Sequence, residues 1–238
     1  MNFHDKVVLV TGGTGGLGRE VAMAFLEAGA SVVVTYRSAE EFAALVSAAE
    51  RIGATPPDGA SVDVTESAAV EKCVAEIIAK HGRLDVLVNT VGGYAGGKNL
   101  WEVDPRTYDK MQQLNLKSGF VLAQAIVPVM IRQNRGWIVN IASKAAFDHG
   151  AGGALYAASK AGALAMFDSL AAEVKAYDIN VNTVLPSIID TAANRKAMPG
   201  ADFAKWPKPE EIARVILFLC SEDGRVIHGA AIPVYGKT

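Results

Sequence analysis

Apolar residues in this chain fall into two alternating patterns. Short continuous runs of branched residues occupy Val7–Val10, Ser31–Tyr36, Ala60–Val64, Leu84–Val88, Trp137–Ala142, Ile179–Leu185 and Ala230–Val234. Runs of this kind, with no polar face, read as strands buried on both sides. Between them lie stretches with helical spacing, at Arg19–Ala28, Ala39–Arg51, Asp104–Asn134, Ala154–Tyr177 and Pro209–Cys220, and one opened by Thr65 as cap with Glu66 in its first turn. Gly29 ends the first helix, and Asp104-Pro105 is an N-cap followed by proline at the first helical position. Pro128 is expected to kink its helix or mark a surface turn. Asn115 is a poor helix former inside a helical pattern, so it is expected to be bonded to something specific. Seven strands alternating with six helices predict an α/β protein. Its parallel, doubly wound sheet has the order 3-2-1-4-5-6-7, with helices on both faces. No repeat or interior linker interrupts it, so residues 1–238 are expected to form one domain. The polar, aromatic-bearing stretch Asp190–Trp206 predicts an irregular lid, at about residues 187–208.

Composition narrows the class. The chain has 238 residues, half of them hydrophobic, enough for one large core. A formal net charge of −2 gives no nucleic-acid footprint. The two cysteines, Cys73 and Cys220, lie in helical patterns, so buried free thiols are expected, with no disulfide and no metal cluster. The polar N-terminus runs straight into a strand, which predicts no signal peptide, and the apolar runs look too short or too interrupted to cross a bilayer. A cytoplasmic protein with no membrane partner is the expectation.

Candidate chemistry begins at Thr11–Gly18, which lies between the first strand and the first helix and holds five glycines in seven residues. Glycines leave room for a ligand against the backbone, and the following helix offers free N–H groups and a positive dipole end to a pyrophosphate. In such folds the end of the second strand chooses the dinucleotide. Tyr36 stands where an acidic residue would hold the ribose of NAD, and Arg37 after it can pair with a 2′-phosphate. NADP(H) is therefore expected over NAD(H), although Glu40 and Glu41 are close enough to compete for Arg37 and NAD remains open. Asp63 either accepts from an adenine amino group or caps a turn. Gly92–Gly97 forms a glycine-rich loop at the carboxyl edge of the sheet, where ligands bind in these folds.

Tyr156 and Lys160 are four residues apart on a predicted helix and so share one face. An ammonium beside a phenol favours phenolate, which makes the tyrosine a tuned acid for carbonyls and alcohols. Such a pair is commonplace on helices, and its company gives it meaning. Ser143, at the end of the fifth strand, offers a hydroxyl across a small pocket.

With these residues in order the chain resembles the short-chain dehydrogenases/reductases over essentially its whole length. The likeness rests on T-G-x-x-x-G-x-G at Thr11–Gly18, Asp63, Asn115, Ser143, Y-x-x-x-K at Tyr156 and Lys160, and Pro186–Thr191. It implies a Rossmann-type domain and an oxidoreductase that moves a hydride between nicotinamide and a small carbonyl or alcohol. It assigns Tyr156 as general acid/base and Ser143 as orienter of the carbonyl. Lys160 would lower the tyrosine pKa and hold the nicotinamide ribose, and Asn115 would support a water linking Lys160 to solvent. Cofactor contacts are implied at Gly12, Thr14, Gly16, Leu17, Gly18, Arg37, Asp63, Val64, Asn89, Gly92, Tyr156, Lys160 and Pro186, with Ile189 and Thr191 on the carboxamide. A homotetramer or homodimer through the Asn115 and Tyr156 helices is implied too. Two departures stand out: Asn89-Thr90-Val91-Gly92 replaces N-N-A-G, and Pro186-Ser187 replaces Pro-Gly.

The substrate-facing loops, Gly92–Gly97, Ser143–Ala146 and the Leu185–Trp206 stretch, are similar to those of quinonoid dihydropteridine reductases. Ser143 and Arg37 depart from that branch. Dihydropteridine reduction and 3-oxoacyl thioester reduction are thus rival activities. An NADP-binding sensor or scaffold is the rival outside enzymology, and the joint presence of Ser143, Tyr156, Lys160 and Asn115 argues against it. A basic patch of Arg195, Lys196, Lys205 and Lys208 would suit an acyl-carrier substrate. His149 carries no assignment.

Overall fold

The computed structural model describes residues 1–238. One seven-stranded parallel sheet runs in the order β3-β2-β1-β4-β5-β6-β7. Its strands are β1 (Val7–Thr11), β2 (Ser31–Tyr36), β3 (Asp58–Ser61), β4 (Val86–Asn89), β5 (Gly136–Ile141), β6 (Ile179–Pro186) and β7 (Ala231–Val234). The helices are α1 (Gly18–Glu27), α2 (Ala39–Arg51), α3 (Ser67–His81), α4 (Pro105–Gln112), α5 (Ser118–Gln133), α6 (Ala154–Glu173), α7 (Ala192–Ala197) and α8 (Pro209–Leu219).

The pleat explains why the strand runs are apolar throughout. Val8 and Val10 of β1 enter one core with Val21 and Phe25 of α1, Leu45 of α2 and Ile212 and Ile216 of α8. Val7 and Leu9, on the opposite face, enter a second core with Val74 and Ile77 of α3, Ile126 and Met130 of α5 and Phe167 of α6. Alternate residues of each strand thus serve two helix layers. Buried polar groups cross the sheet at one level. Thr11 Oγ1 donates to Asn89 Oδ1 at 2.9 Å, and Asn89 Nδ2 donates to Asn140 Oδ1 at 3.1 Å, in a register that pairs Thr11 with Asn89 and Asn89 with Asn140.

Several expectations are corrected. The third strand lies at Asp58–Ser61, earlier than Ala60–Val64. Asp63 lies two residues past its end, taking both the amide and the hydroxyl of Thr65 on Oδ1. The long helix is split by a π turn at Gln113–Lys117, which holds Asn115. Pro128 lies inside α5 on its exposed side, which removes the surface-turn alternative. The stretch after the sixth strand is irregular only in part, since Thr191 caps the short helix α7 by accepting from Asn194 N. The helical run Pro105–Gln133 holds an 18-residue window with a mean hydropathy of 1.5, long and apolar enough to cross a membrane by length and composition, contrary to the reading that no run would be. Half of that window is buried, and α5 packs on α3 against the sheet as a core helix does. Cys73 and Cys220 are buried free thiols.

Candidate active site

The loops that leave the strands at their carboxyl ends bring the expected residues to one rim. Gly12, Thr14, Gly16, Leu17 and Gly18 follow β1, and Arg37 follows β2. Asp63 and Val64 follow β3, Asn89 and Gly92 lie at and after the end of β4, and Ser143 follows β5. Pro186, Ile189 and Thr191 lie at and after the end of β6. The order of strands reverses between β1 and β4, the crevice where doubly wound folds take ligands.

The glycine loop is shaped by what it cannot hold. Gly12 has φ +67°, and a Cβ on Gly18 would lie 2.2 Å from Gly12 O, so the loop folds over the start of α1. Gly12 N donates to Thr35 Oγ1, and Thr90 Oγ1 donates to Thr11 O, so neighbouring strands brace the turn. No side chain caps α1, and the amides of Gly16, Leu17 and Gly18 have no protein acceptor. Three free N–H groups at a helix start, with open backbone before them, fit the diphosphate of a dinucleotide. A cavity of about 370 Å³ lies between this loop and the lid, lined by Gly16, Arg19, Asp190, Thr191, Arg195 and Lys208. The Thr191 methyl packs on Gly16, where an added Cβ would meet it at 2.9 Å.

At the adenosine end, Glu41 does not engage Arg37. Its carboxylate accepts from Thr14 Oγ1 at 3.1 Å, which leaves the Arg37 side chain exposed. Two hydrogen bonds from Thr65 hold the Asp63 carboxyl below its usual range, and Arg37 adds to the effect. The turn-capping alternative for Asp63 is therefore what the structure displays.

Tyr156 lies in the first turn of α6, half-buried, with Lys160 buried one turn on. Burial pushes the Tyr156 phenol above its ordinary value, the Ser143 hydroxyl works the other way through a hydrogen bond, and Tyr94 adds to the rise. The expected lowering by Lys160 is thus corrected: a phenol removed from water is hard to ionise. Lys160 Nζ instead donates to Ile141 O at 2.9 Å, and burial lowers its pKa to about 8. Gly92 lets this group approach Asn115, since a Cβ there would lie 3.0 Å from both Lys160 Nζ and Asn115 Oδ1.

Asn115 is as specifically bonded as its place in a helix suggested. Its Oδ1 accepts from Gly93 N at 2.9 Å, while its Nδ2 donates to Gly93 O and to Ser159 Oγ, each at 3.0 Å. The π turn aims this carboxamide inward. His149 Nε2 is hydrogen-bonded to Ala146 O at 3.1 Å. Sequence reasoning missed Thr35, Thr90 and Tyr94. A lone threonine in an apolar strand signalled the first, and a lone aromatic among four glycines signalled the last.

The chain matches the short chain dehydrogenase family model over residues 6–201. It is 34% identical to the 3-oxoacyl-[acyl-carrier-protein] reductase of Thermotoga maritima, across 99% of this chain and 98% of that protein. It is also 34% identical to the NAD-dependent glycerol dehydrogenase of Listeria innocua, across 99% of this chain and 94% of that protein. A short chain dehydrogenase of Shigella flexneri, solved in complex with NADP, superposes with a TM-score of 0.90 at 28% identity, covering 97% of each chain.

Proposed function

Because this chain belongs to the short-chain dehydrogenase/reductase family, we propose that it reduces a small carbonyl compound, with Tyr156 as the proton donor and NADPH as the preferred cofactor. The chain is an NAD(P)-dependent oxidoreductase. The observation that carries the finer reading is placement: the half-buried Tyr156 phenol stands in the first turn of α6, with the buried Lys160 one turn on and Ser143 just past the end of β5, at the rim that also holds the glycine cradle. A phenol protonated at neutral pH is the donor form that reduction requires.

The residues then divide the work. Gly12, Gly16, Leu17 and Gly18 would hold the diphosphate, and Arg37 with Thr14 the phosphorylated ribose. Asp63, Val64, Asn89 and Gly92 would flank the adenosine side, and Pro186, Ile189 and Thr191 the carboxamide end. When bound, the nicotinamide supplies the hydride. Ser143 Oγ orients the carbonyl oxygen and stabilises its charge as it develops. Tyr156 passes its proton to that oxygen, and the Lys160 ammonium behind it supplies positive charge and a hold for the nicotinamide ribose. Asn115 fixes the Gly93 loop to α6. The α7 segment, with Phe203 and Trp206, closes the site as a lid. Homo-oligomerisation through the faces of α5 and α6 belongs to the same reading.

A second activity, reduction of a 3-oxoacyl thioester, is favoured by the reductase from Thermotoga maritima. The basic patch that would support it is thinner than its sequence suggests, because Asp190 pairs with Arg195 and Asp202 with Lys205. The test is fluorescence titration of NADPH and NADH. Oxidation of the preferred cofactor is then followed with ketones, a 3-oxoacyl thioester and quinonoid dihydropterin in parallel. Ketone turnover with NADPH supports the proposal, turnover of the thioester or pterin alone reassigns the substrate, and no binding of either cofactor refutes it.

A further inference from the structure

Tyr94 stands between Gly92–Gly93 and Gly96–Gly97 on the loop from β4 to α4. Its ring meets the Tyr156 ring at a centroid distance of 5.0 Å with the planes 77° apart. The loop is tied at both ends, by Asn115 to Gly93 and by Gly97 N donating to Gly152 O at 3.0 Å, just before α6. Gly96 lies so close to the phenol that a Cβ there would be 2.3 Å from the Tyr94 oxygen. Tyr94 is thus folded back onto Tyr156 and Gly96, yet it remains 69% exposed. Most of the side chain therefore faces solvent although it touches both residues.

An uncovered aromatic face, fixed beside a proton donor, is a stacking platform for a flat ligand. A ring stacked on Tyr94 lies at a steep angle to the Tyr156 ring. A carbonyl accepts hydrogen bonds near its own plane. A carbonyl conjugated with the stacked ring therefore offers its oxygen sideways from the stack, with the Tyr156 ring centre 5.0 Å from that of Tyr94. A saturated ring of equal size is puckered and loses most of the face contact.

We propose that Tyr94 is a specificity-determining residue that selects carbonyl groups conjugated to a flat ring over carbonyl groups on saturated skeletons of the same size. The proposal rests on the reading of Tyr156 as proton donor. Its probes are acetophenone and cyclohexyl methyl ketone, which share a carbon skeleton and differ in the flatness of the ring. Dissociation constants of both ketones for the protein–NADPH complex are measured by calorimetry, alongside kcat and KM, for the wild type, Tyr94→Leu, Tyr94→Phe and Tyr94→Trp. Cofactor affinity monitors folding. Tyr94→Leu, which keeps bulk but not flatness, is expected to weaken acetophenone about ten-fold and cyclohexyl methyl ketone less than about three-fold. Tyr94→Phe is expected to stay within about two-fold of wild type, and Tyr94→Trp to keep or raise the preference. Equal losses for both ketones in Tyr94→Leu, no loss, a fall in preference in Tyr94→Trp, or failure of acetophenone to bind the wild-type complex would each overturn the proposal. Acetophenone binding that needs a flat residue at position 94, with no turnover of either ketone, would uphold the platform and refute the reading of Tyr156.

Discussion

The Asn115 carboxamide donates to Ser159 Oγ at 3.0 Å, joining the π turn to the helix that carries Tyr156 across 44 residues of sequence. The same side chain closes two hydrogen bonds with Gly93, so removing it orphans groups on two elements at once. Asn115→Ala is expected to cost about 2–4 kcal/mol and to lower the melting temperature by roughly 4–16 °C. Its kcat should fall further than its cofactor affinity. Calorimetry with steady-state kinetics checks this, and a variant with unchanged melting temperature would contradict the bonding pattern.

Tyr156→Phe keeps the ring that Tyr94 packs against and removes only the hydroxyl. Turnover should drop by a factor of about 10²–10⁴ while NADPH titrates as in wild type. A variant that retains near-native kcat would remove Tyr156 from the chemistry.

Lys160 predicts a conflict between stability and activity. Its folded pKa, about 8, lies below the ordinary value of 10.5, so the native state sheds a proton that the unfolded chain keeps between those two values. Stability from this group therefore rises as pH climbs from about 8 to 10.5, and the penalty is fully present at pH 7. Burying the charge costs roughly 3 kcal/mol by that shift. Losing the hydrogen bond to Ile141 O returns about 1 kcal/mol. Lys160→Met should then be more stable than wild type at pH 7 by about 2 kcal/mol and severely impaired in kcat. The gap in melting temperature should narrow toward pH 10, and a gap that widens would reverse the assignment.

Arg37 is exposed, and its acidic neighbour Glu41 is turned to Thr14. Arg37→Ala should weaken NADPH by about ten-fold or more and leave NADH within about two-fold. The comparison is of dissociation constants by fluorescence titration. An unchanged NADPH/NADH ratio would show that the phosphate is held elsewhere.

The core strands were legible because burial on both faces leaves Val7–Val10 and its counterparts nothing but apolar residues to show. The third strand was misplaced for the complementary reason. Asp58–Ser61 is an edge strand whose residues carry no apolar pattern, and pairing with Val33–Tyr36 makes it a strand. The glycine loop and the Tyr156–Lys160 spacing were readable because each is local in sequence. The raised pKa of Tyr156 was not, since spacing shows a neighbouring charge but not how much water is excluded. Thr35 and Tyr94 act on residues 23 and 62 positions away, Gly12 and Tyr156, and no local pattern encodes such a meeting.

Strands that are apolar on both faces pose a problem of alignment. Slid by two residues, Val8 and Val10 would find much the same surroundings, and hydrophobic burial alone would barely object. The buried row Thr11–Asn89–Asn140 objects strongly, because sliding parts Thr11 Oγ1 from Asn89 Oδ1 and Asn89 Nδ2 from Asn140 Oδ1, at about 1–3 kcal/mol for each group stranded. The row works as a vernier mark, checking three strands against one another while the chain is still assembling. It sits at the rim from which the glycine loop and the Gly92–Gly97 loop depart, so a sheet that has mispaired is also a sheet without its binding crevice.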